Sequence, residues 1–350
     1  MEKKTVEDLN SIRERKLRKN IIVLTVTVVL LLLSFIPALM VGTKMSLSET
    51  FGSLFGNGSW AEVYIIQNIQ LPRALCAVIV GAALSVSGLS MQGMFRNPMA
   101  SPSVLGVSSG AAFGASLAMG FGLGAMFGSF AVPFMAFIFC FGTMVLVYTL
   151  AKTTGGTSVI MLLLAGIAVG AFFNGMVSVV IYVADDSAMP SIVYWMMGSL
   201  SEVGWDSFRL ALIPIAIGIM IMWLRASELN LISLGEEQAG NLGVNVNRTR
   251  ILLLVGASLA VAGAVSISGI IGFVGLIIPH IFRMIVGPDH KILMPLTIIG
   301  GAAFLVTMDI IARWVIFPNE LPIGILTALL GAPFFIYIMR TKRKFMMGGN

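Results

Sequence analysis

Ile21 to Met40, IIVLTVTVVLLLLSFIPALM, is a stretch of twenty residues without a charge. A helix of about 20 apolar residues crosses the ~30 Å hydrocarbon core of a bilayer, and it satisfies its own backbone polar groups there. The run is longer than the ~7–15 residues of a signal-peptide core, and no small-x-small pattern follows it. It reads as a first membrane span with the basic flank KLRKN on the inner side.

Comparable runs recur along the chain. Ten spans are predicted, at 21–41, 72–93, 103–123, 129–151, 158–183, 207–226, 248–268, 270–286, 291–316 and 322–340. The eighth is short and contains Pro279 and His280. Only 11% of residues are charged and mean hydropathy is +0.97, whereas a soluble domain carries about 25% charged residues. A transmembrane barrel would instead alternate in ~10-residue segments. The fold class is therefore an all-α polytopic membrane protein. Its 38 glycines suit that class, since small residues let membrane helices approach closely.

The net charge of +6 does not point to nucleic acid, because the basic residues gather at the two ends, in KLRKN and RTKRK. Ten spans divide the basic residues 18 to 4 in favour of the side that holds both termini. The positive-inside rule makes that side cytoplasmic. On this reading residues 1–20 are a cytoplasmic arm, 21–340 a single domain of ten spans, and 341–350 a cytoplasmic tail. The chain is expected to sit multi-pass in a prokaryotic cell membrane, in contact with lipid.

Two segments echo one another. VGAALSVSG (Val80–Gly88) and VGASLAVAG (Val255–Gly263) share V-G-A-x-L-x-V-x-G at an offset of 175 residues, half the chain. They fall in spans two and seven. Five spans apart means opposite orientation, the mark of an inverted-topology duplication of the kind transporters use.

The sequence lacks several chemistries. No G-x-x-x-x-G-K-[ST] loop is present to hold ATP. His280 and His290 are the only histidines, and no Cys/His cluster has metal-ligand spacing. Cys76 and Cys140 lie inside apolar runs and read as small buried hydrophobes. Asp309 is the main acid within a span, so the buried carboxylates of an ion-coupled carrier are scarce. Catalytic residues, a metal and a cofactor are not expected in this chain. An ion-coupled secondary carrier and a polytopic membrane enzyme remain the other classes to weigh.

One polar stretch interrupts the apolar pattern, LGEEQAGNLGVNVNRTR (Leu234–Arg250). Ser233-x-x-Glu236 predicts a capping box opening a helix. Ala239 and Leu242, three apart, predict one small apolar face. Gly243 predicts the helix stop, and Asn245 or Asn247 the cap of the next helix. Helix connections in a bundle usually take ~2–8 residues. A structured segment over 231–247 therefore predicts a docking surface. A second unusual loop, Asp185 to Asp206, has acidic ends around SIVYWMMGSL and predicts a short interfacial helix.

Five segments carry a resemblance. RNPMASPSVLGVSSGA (Arg96–Ala111), WMMGSLSEVGW (Trp195–Trp205), LGEEQAGNLGVNV (Leu234–Val246), GFVGLIIPHIFRMIVGPDH (Gly272–His290) and ELPIGILTALLGAPFF (Glu320–Phe335) resemble, in this order, the FecCD-type permeases of ABC importers for iron–siderophore, haem and cobalamin. The likeness runs from about Leu71 to Arg340. It implies a type II importer fold with inverted repeats. It also implies a homodimer around a central path, two ABC ATPase subunits inside that bring ATP and Mg, and a substrate-binding protein outside. An iron(III)–siderophore is the first expected cargo, with cobalamin or haem as alternatives.

The resemblance also implies roles for particular residues. Glu236, Glu237, Ala239, Leu242 and Gly243 match the segment that inserts into the ATPase. The family's R-L-P-R before span two stands here as Gln70-Leu71-Pro72-Arg73, and Arg313 follows Asp309 in DIIAR. Arg73 and Arg313, with Gln70 in place of an arginine, match positions that dock the binding protein; interfacial snorkelling is the plainer reading of the arginines. Asn174, taken as a buried amide of span five, matches the translocation path or serves only to pack helices together, and Trp195 in the outer loop is part of a moving gate or an interfacial anchor. Thr157 and Ser158 match an inner gate, or simply cap span five.

Overall fold

Helix α1, Glu2–Met40, carries the first apolar run and extends it toward the N-terminus by the charged arm. A computed structural model describes residues 2–153 and 156–347, with side chains at 12–125, 128–152 and 158–337. After α1 come α2 (Leu47–Leu54), α3 (Trp60–Tyr64), α4 (Leu71–Met94), α5 (Val107–Gly120), α6 (Gly124–Phe127), α7 (Ala131–Ala151) and α8 (Val159–Val183). The second half holds α9 (Ala188–Met196), α10 (Trp205–Leu224), α11 (Ala226–Leu234), α12 (Glu236–Asn241), α13 (Val246–Ser268), α14 (Val274–Val286), α15 (His290–Trp314) and α16 (Ile323–Met347). A π-helical turn, Ile65–Gln70, joins α3 to α4 as one rod. Two-residue strands β1 (Lys152–Thr153) and β2 (Gly156–Thr157) pair antiparallel between α7 and α8.

The ten predicted spans correspond to α1, α4, α5, α7, α8, α10, α13, α14, α15 and α16. Among the described residues, seven helices are long and apolar enough to cross a membrane, and Val274–Val286 and Ile323–Tyr337 are shorter apolar helices. The arm, the α7–α8 and α10–α13 connections and α16's C-terminus share one end of the bundle, the arm end. The opposite end is the far end.

The two echoing segments lie in the helices that form the centre. The spans of α4 and α13 are 83% and 78% buried, against 22% for α8 and for α10. The central pair pack on each other. Around them, α4 packs on α14 and α15, while α13 packs on α5 and α7. Those neighbours are spans eight and nine in one case and three and four in the other, a correspondence expected of two related halves, and α13 packs in addition on α10. The glycines of the echo explain the close contacts. A Cβ on Gly81 would strike the Gly301 carbonyl of α15, and one on Gly88 the backbone of Gly275 in α14. The corresponding Gly256 abuts Gly218 of α10. Without a hydrophobic drive between helices in lipid, such approach supplies the dispersion contacts that hold a bundle.

Candidate functional site

At the arm end, α11 and α12 form the polar segment. Gly235 breaks the chain between them at φ 134°. The predicted capping box is not formed. The Ser233 hydroxyl donates to the Leu229 carbonyl inside α11 at 2.8 Å, and Gly235 occupies the N-cap of α12 without a side-chain bond. Glu236 turns instead to Arg250 of α13, 2.6 Å away. The single apolar face is also absent. Ala239 is fully buried, whereas Leu242, at the C-cap, is 61% exposed.

The predicted stop is formed. Gly243 has φ 86°, its N–H donates to Gly240 O (2.9 Å), and the Val244 N–H donates to Ala239 O (3.0 Å). These are the paired bonds of a Schellman motif, which requires a left-handed residue at Gly243. Asn245 then caps α13 by accepting from the Arg248 N–H at 3.0 Å. Glu237 is exposed beside this turn.

Polar contacts fasten the segment to the bundle, and those that reach α13 and α15 were not evident from spacing. Glu236 meets Arg250 as described. Glu228 of α11 accepts from Thr249 of α13 (2.5 Å) and from Arg225 (2.6 Å). Asn230 donates to Asp289 at 2.7 Å and accepts from the His290 N–H at 2.8 Å. The segment is thus tied to α13 and to the first turn of α15, while Glu237 and Leu242 face outward.

At the far end, α15 holds a charged cluster. Arg73 makes a fork to Glu320 (3.0 and 2.9 Å) and meets Asp309 Oδ1 through Nε and Nη2 (3.0 and 2.8 Å). Arg313 meets Asp309 Oδ2 at 2.8 Å, donates to Gln70 Oε1 at 2.6 Å, and reaches the Ala38 carbonyl at 2.9 Å. Arg73 and Arg313 are only 6% and 4% exposed. The three docking candidates therefore come together, but as an interior cluster. All three side chains are buried, so they do not stand on an exposed face of the chain. Two cations inside a bundle need anions close by, and Asp309 and Glu320 provide them. Gln70 fits this place better than an arginine would, because Arg313 needs an acceptor there.

The path candidates are dispersed. Asn174 is exposed on α8, which corrects the expectation of a buried amide. It lies on a stripe with Ile160, Leu164, Ile167, Ala171, Ser178 and Tyr182, all exposed. An amide facing lipid leaves its hydrogen bonds unmade at a cost of several kcal/mol. That stripe therefore calls for a protein or aqueous neighbour. Ser158 stands at the N-cap position of α8 without a side-chain bond. The side chain of Thr157 lies outside the described residues; its backbone pairs with Lys152. Trp195 lies in the last turn of the predicted short helix, now α9, and lines a far-end cavity of about 890 Å³ between α5, α7, α9, α10 and α13.

A profile of the FecCD transport family matches residues 28–341. The hemin transport system permease protein of Yersinia pestis is 40% identical over 318 residues, 90% of this chain and 95% of that protein. The cobalamin import system permease protein of Halobacterium salinarum is 42% identical over 288 residues, covering 82% and 76%. A solved structure assigned to the metal-chelate type of ABC transporter, in an inward-facing conformation, superposes with a TM-score of 0.81 at 36% identity, covering 91% of this chain and 98% of that one.

Proposed function

Because this chain belongs to the FecCD transport family, we propose that it is the membrane-spanning subunit of an ATP-driven importer for a preformed metal chelate. An iron(III)–siderophore is the first candidate cargo, and cobalamin or haem the alternatives. Two copies form the working unit. Two ABC ATPase subunits, which bring ATP and Mg, bind the arm end in the cytoplasm. A substrate-binding protein docks at the far end outside the cell membrane.

The observation that carries this reading is the α11–α12 segment. A six-residue helix stopped by a Schellman turn offers Glu237 and Leu242 to a partner; an ion pair fixes it to α13, and the Asn230 amide of the adjoining α11 hydrogen-bonds to Asp289 at the start of α15. A chain with no ATP loop receives work through such a lever. Closure of the ATPase pair displaces α12, Arg250 and Thr249 pass the displacement to α13, and Asn230 passes it to α15. The α8 stripe around Asn174 lines the path between two copies, with Ser158 and Thr157 at its inner gate and Trp195 near its entrance. A chelate already satisfies its own metal, so a wall of small and apolar residues lets it pass without ligating it.

Crosslinking tests the segment directly. Cys76 and Cys140 are buried, so Leu242→Cys introduces an exposed thiol. It should crosslink to the ATPase subunit in membranes with a short bifunctional reagent, and ATP should change the yield. Absence of any crosslink from this position refutes the assignment.

A further inference from the structure

The far-end cavity has a chemical character that the transport reading does not use. Its volume of about 890 Å³ falls in the range of small-molecule sites. Among the described residues, the charged side chains on its wall are Glu202 and Asp206, with no lysine or arginine. Its deepest hydroxyls are acceptors. Ser266 and Ser268 are each 2% exposed and spend their protons on the Gly263 and Ala264 carbonyls, at 3.0 and 2.9 Å. Nearer the mouth, Tyr194 closes a ring of hydroxyls with Ser199 and Ser201 (3.4 and 3.3 Å). Trp195 adds an aromatic wall, which attracts cations through its π face.

The surroundings have the same sign. Eight of the sixteen acidic residues lie at the far end, against four of the twenty-two basic ones. Of those four, Lys44 is exposed on the α1–α2 connection, and Arg73 and Arg313 are buried against Asp309 and Glu320. Arg209 stands 3.6 Å from Asp206, with both side chains at least 70% exposed, so it offsets part of the Asp206 charge and Glu202 carries the larger share of the field. Asp185 and Asp186 flank the start of α9 and are exposed. A cleft lined by one sign of charge raises the local concentration of the opposite sign and excludes its own.

We infer that this cavity is a charge filter at the far end, a site that takes neutral or cationic chelates, above all those bearing an ammonium group, and rejects anionic ones. The inference rests on the importer reading and narrows its substrate class. It assigns part of the selectivity to this chain, through Glu202 and Asp206.

The test uses the permease–ATPase complex in lipid nanodiscs, dialysed at low salt without binding protein. The probes are two radioiron-labelled iron(III) chelates of similar size, a trihydroxamate with a free ammonium group and a trianionic tricatecholate. The cationic chelate should bind about three- to tenfold more tightly, and the preference should shrink as salt rises. Glu202→Gln with Asp206→Asn should reduce the preference, and Glu202→Lys with Asp206→Lys should reverse it. Should the lysine pair fail to fold, the amide pair, which keeps size and shape, decides the matter. Equal binding of both chelates, binding of neither, or a preference unmoved by the substitutions overturns the inference. ATPase stimulation by loaded binding protein is measured on the same complex. Its absence counts against the importer reading, whereas stimulation without charge preference removes only the filter.

Discussion

Gly243→Val is the sharpest perturbation of the proposed lever. Gly243 sits at φ 86°, and a Cβ built there meets nothing within 4 Å. The cost of the substitution is therefore conformational and not steric. Holding an L-residue in the left-handed region costs roughly 1–2 kcal/mol, more for a β-branched side chain. The alternative is to leave that region. That breaks the Gly243–Gly240 and Val244–Ala239 bonds, each worth about 0.5–1.5 kcal/mol net. Either way the six-residue α12 loses its fixed end by some 1–3 kcal/mol, enough to unwind a helix this short. The spans are untouched, so insertion and expression should be normal. In proteoliposomes with the ATPase and binding protein, ATP hydrolysis should continue while chelate carried per ATP falls by about tenfold. Gly243→Asn should retain most coupling, because asparagine tolerates the left-handed region. Gly240→Ala, also in open space but at ordinary helical φ, should behave as wild type. Wild-type stoichiometry in the valine variant would refute the argument and leave the segment a plain connection.

Further expectations concern the helices that carry force. Asp309→Asn leaves Arg73 and Arg313 with too little negative charge in a buried cluster; it should destabilise by about 3–5 kcal/mol, read as a lower Tm in detergent. Adding Arg313→Met should recover part of that loss. Gln70→Arg removes the acceptor that Arg313 uses at 2.6 Å and sets two cations together; a loss of about 1.5–3 kcal/mol is expected in the same assay. Gly88→Ala puts a Cβ about 2.5 Å from the Gly275 Cα and should cost about 1–3 kcal/mol, whereas Gly142→Ala, which meets nothing within 4 Å, should leave Tm unchanged.

What could be read in the sequence depended on how local the physics is. The ten apolar segments were legible because lipid makes hydrophobicity nearly sufficient to place a helix, even for α14 with only 13 residues. Gly243 and Asn245 were legible because helix stops and caps act within four residues. Ser233 was misread for the same kind of reason: S-x-x-E fits a cap, but the chain turns at Gly235 and the hydroxyl bonds back into its own helix. Arg73 could not be placed, since its partners Asp309 and Glu320 lie 236 and 247 residues away. Asn174 could not be oriented because α8 is apolar all round and has no hydrophobic face to set its rotation.

The central claim is that this chain moves its cargo only when a separate ATPase drives it through α12. The decisive measurement is chelate uptake into liposomes holding the permease, with the ATPase and binding protein added or omitted and with ion gradients imposed or collapsed. The account predicts uptake that needs ATP, the ATPase and loaded binding protein, and that ignores the gradients. Gradient-driven flux in liposomes containing this chain alone would contradict it.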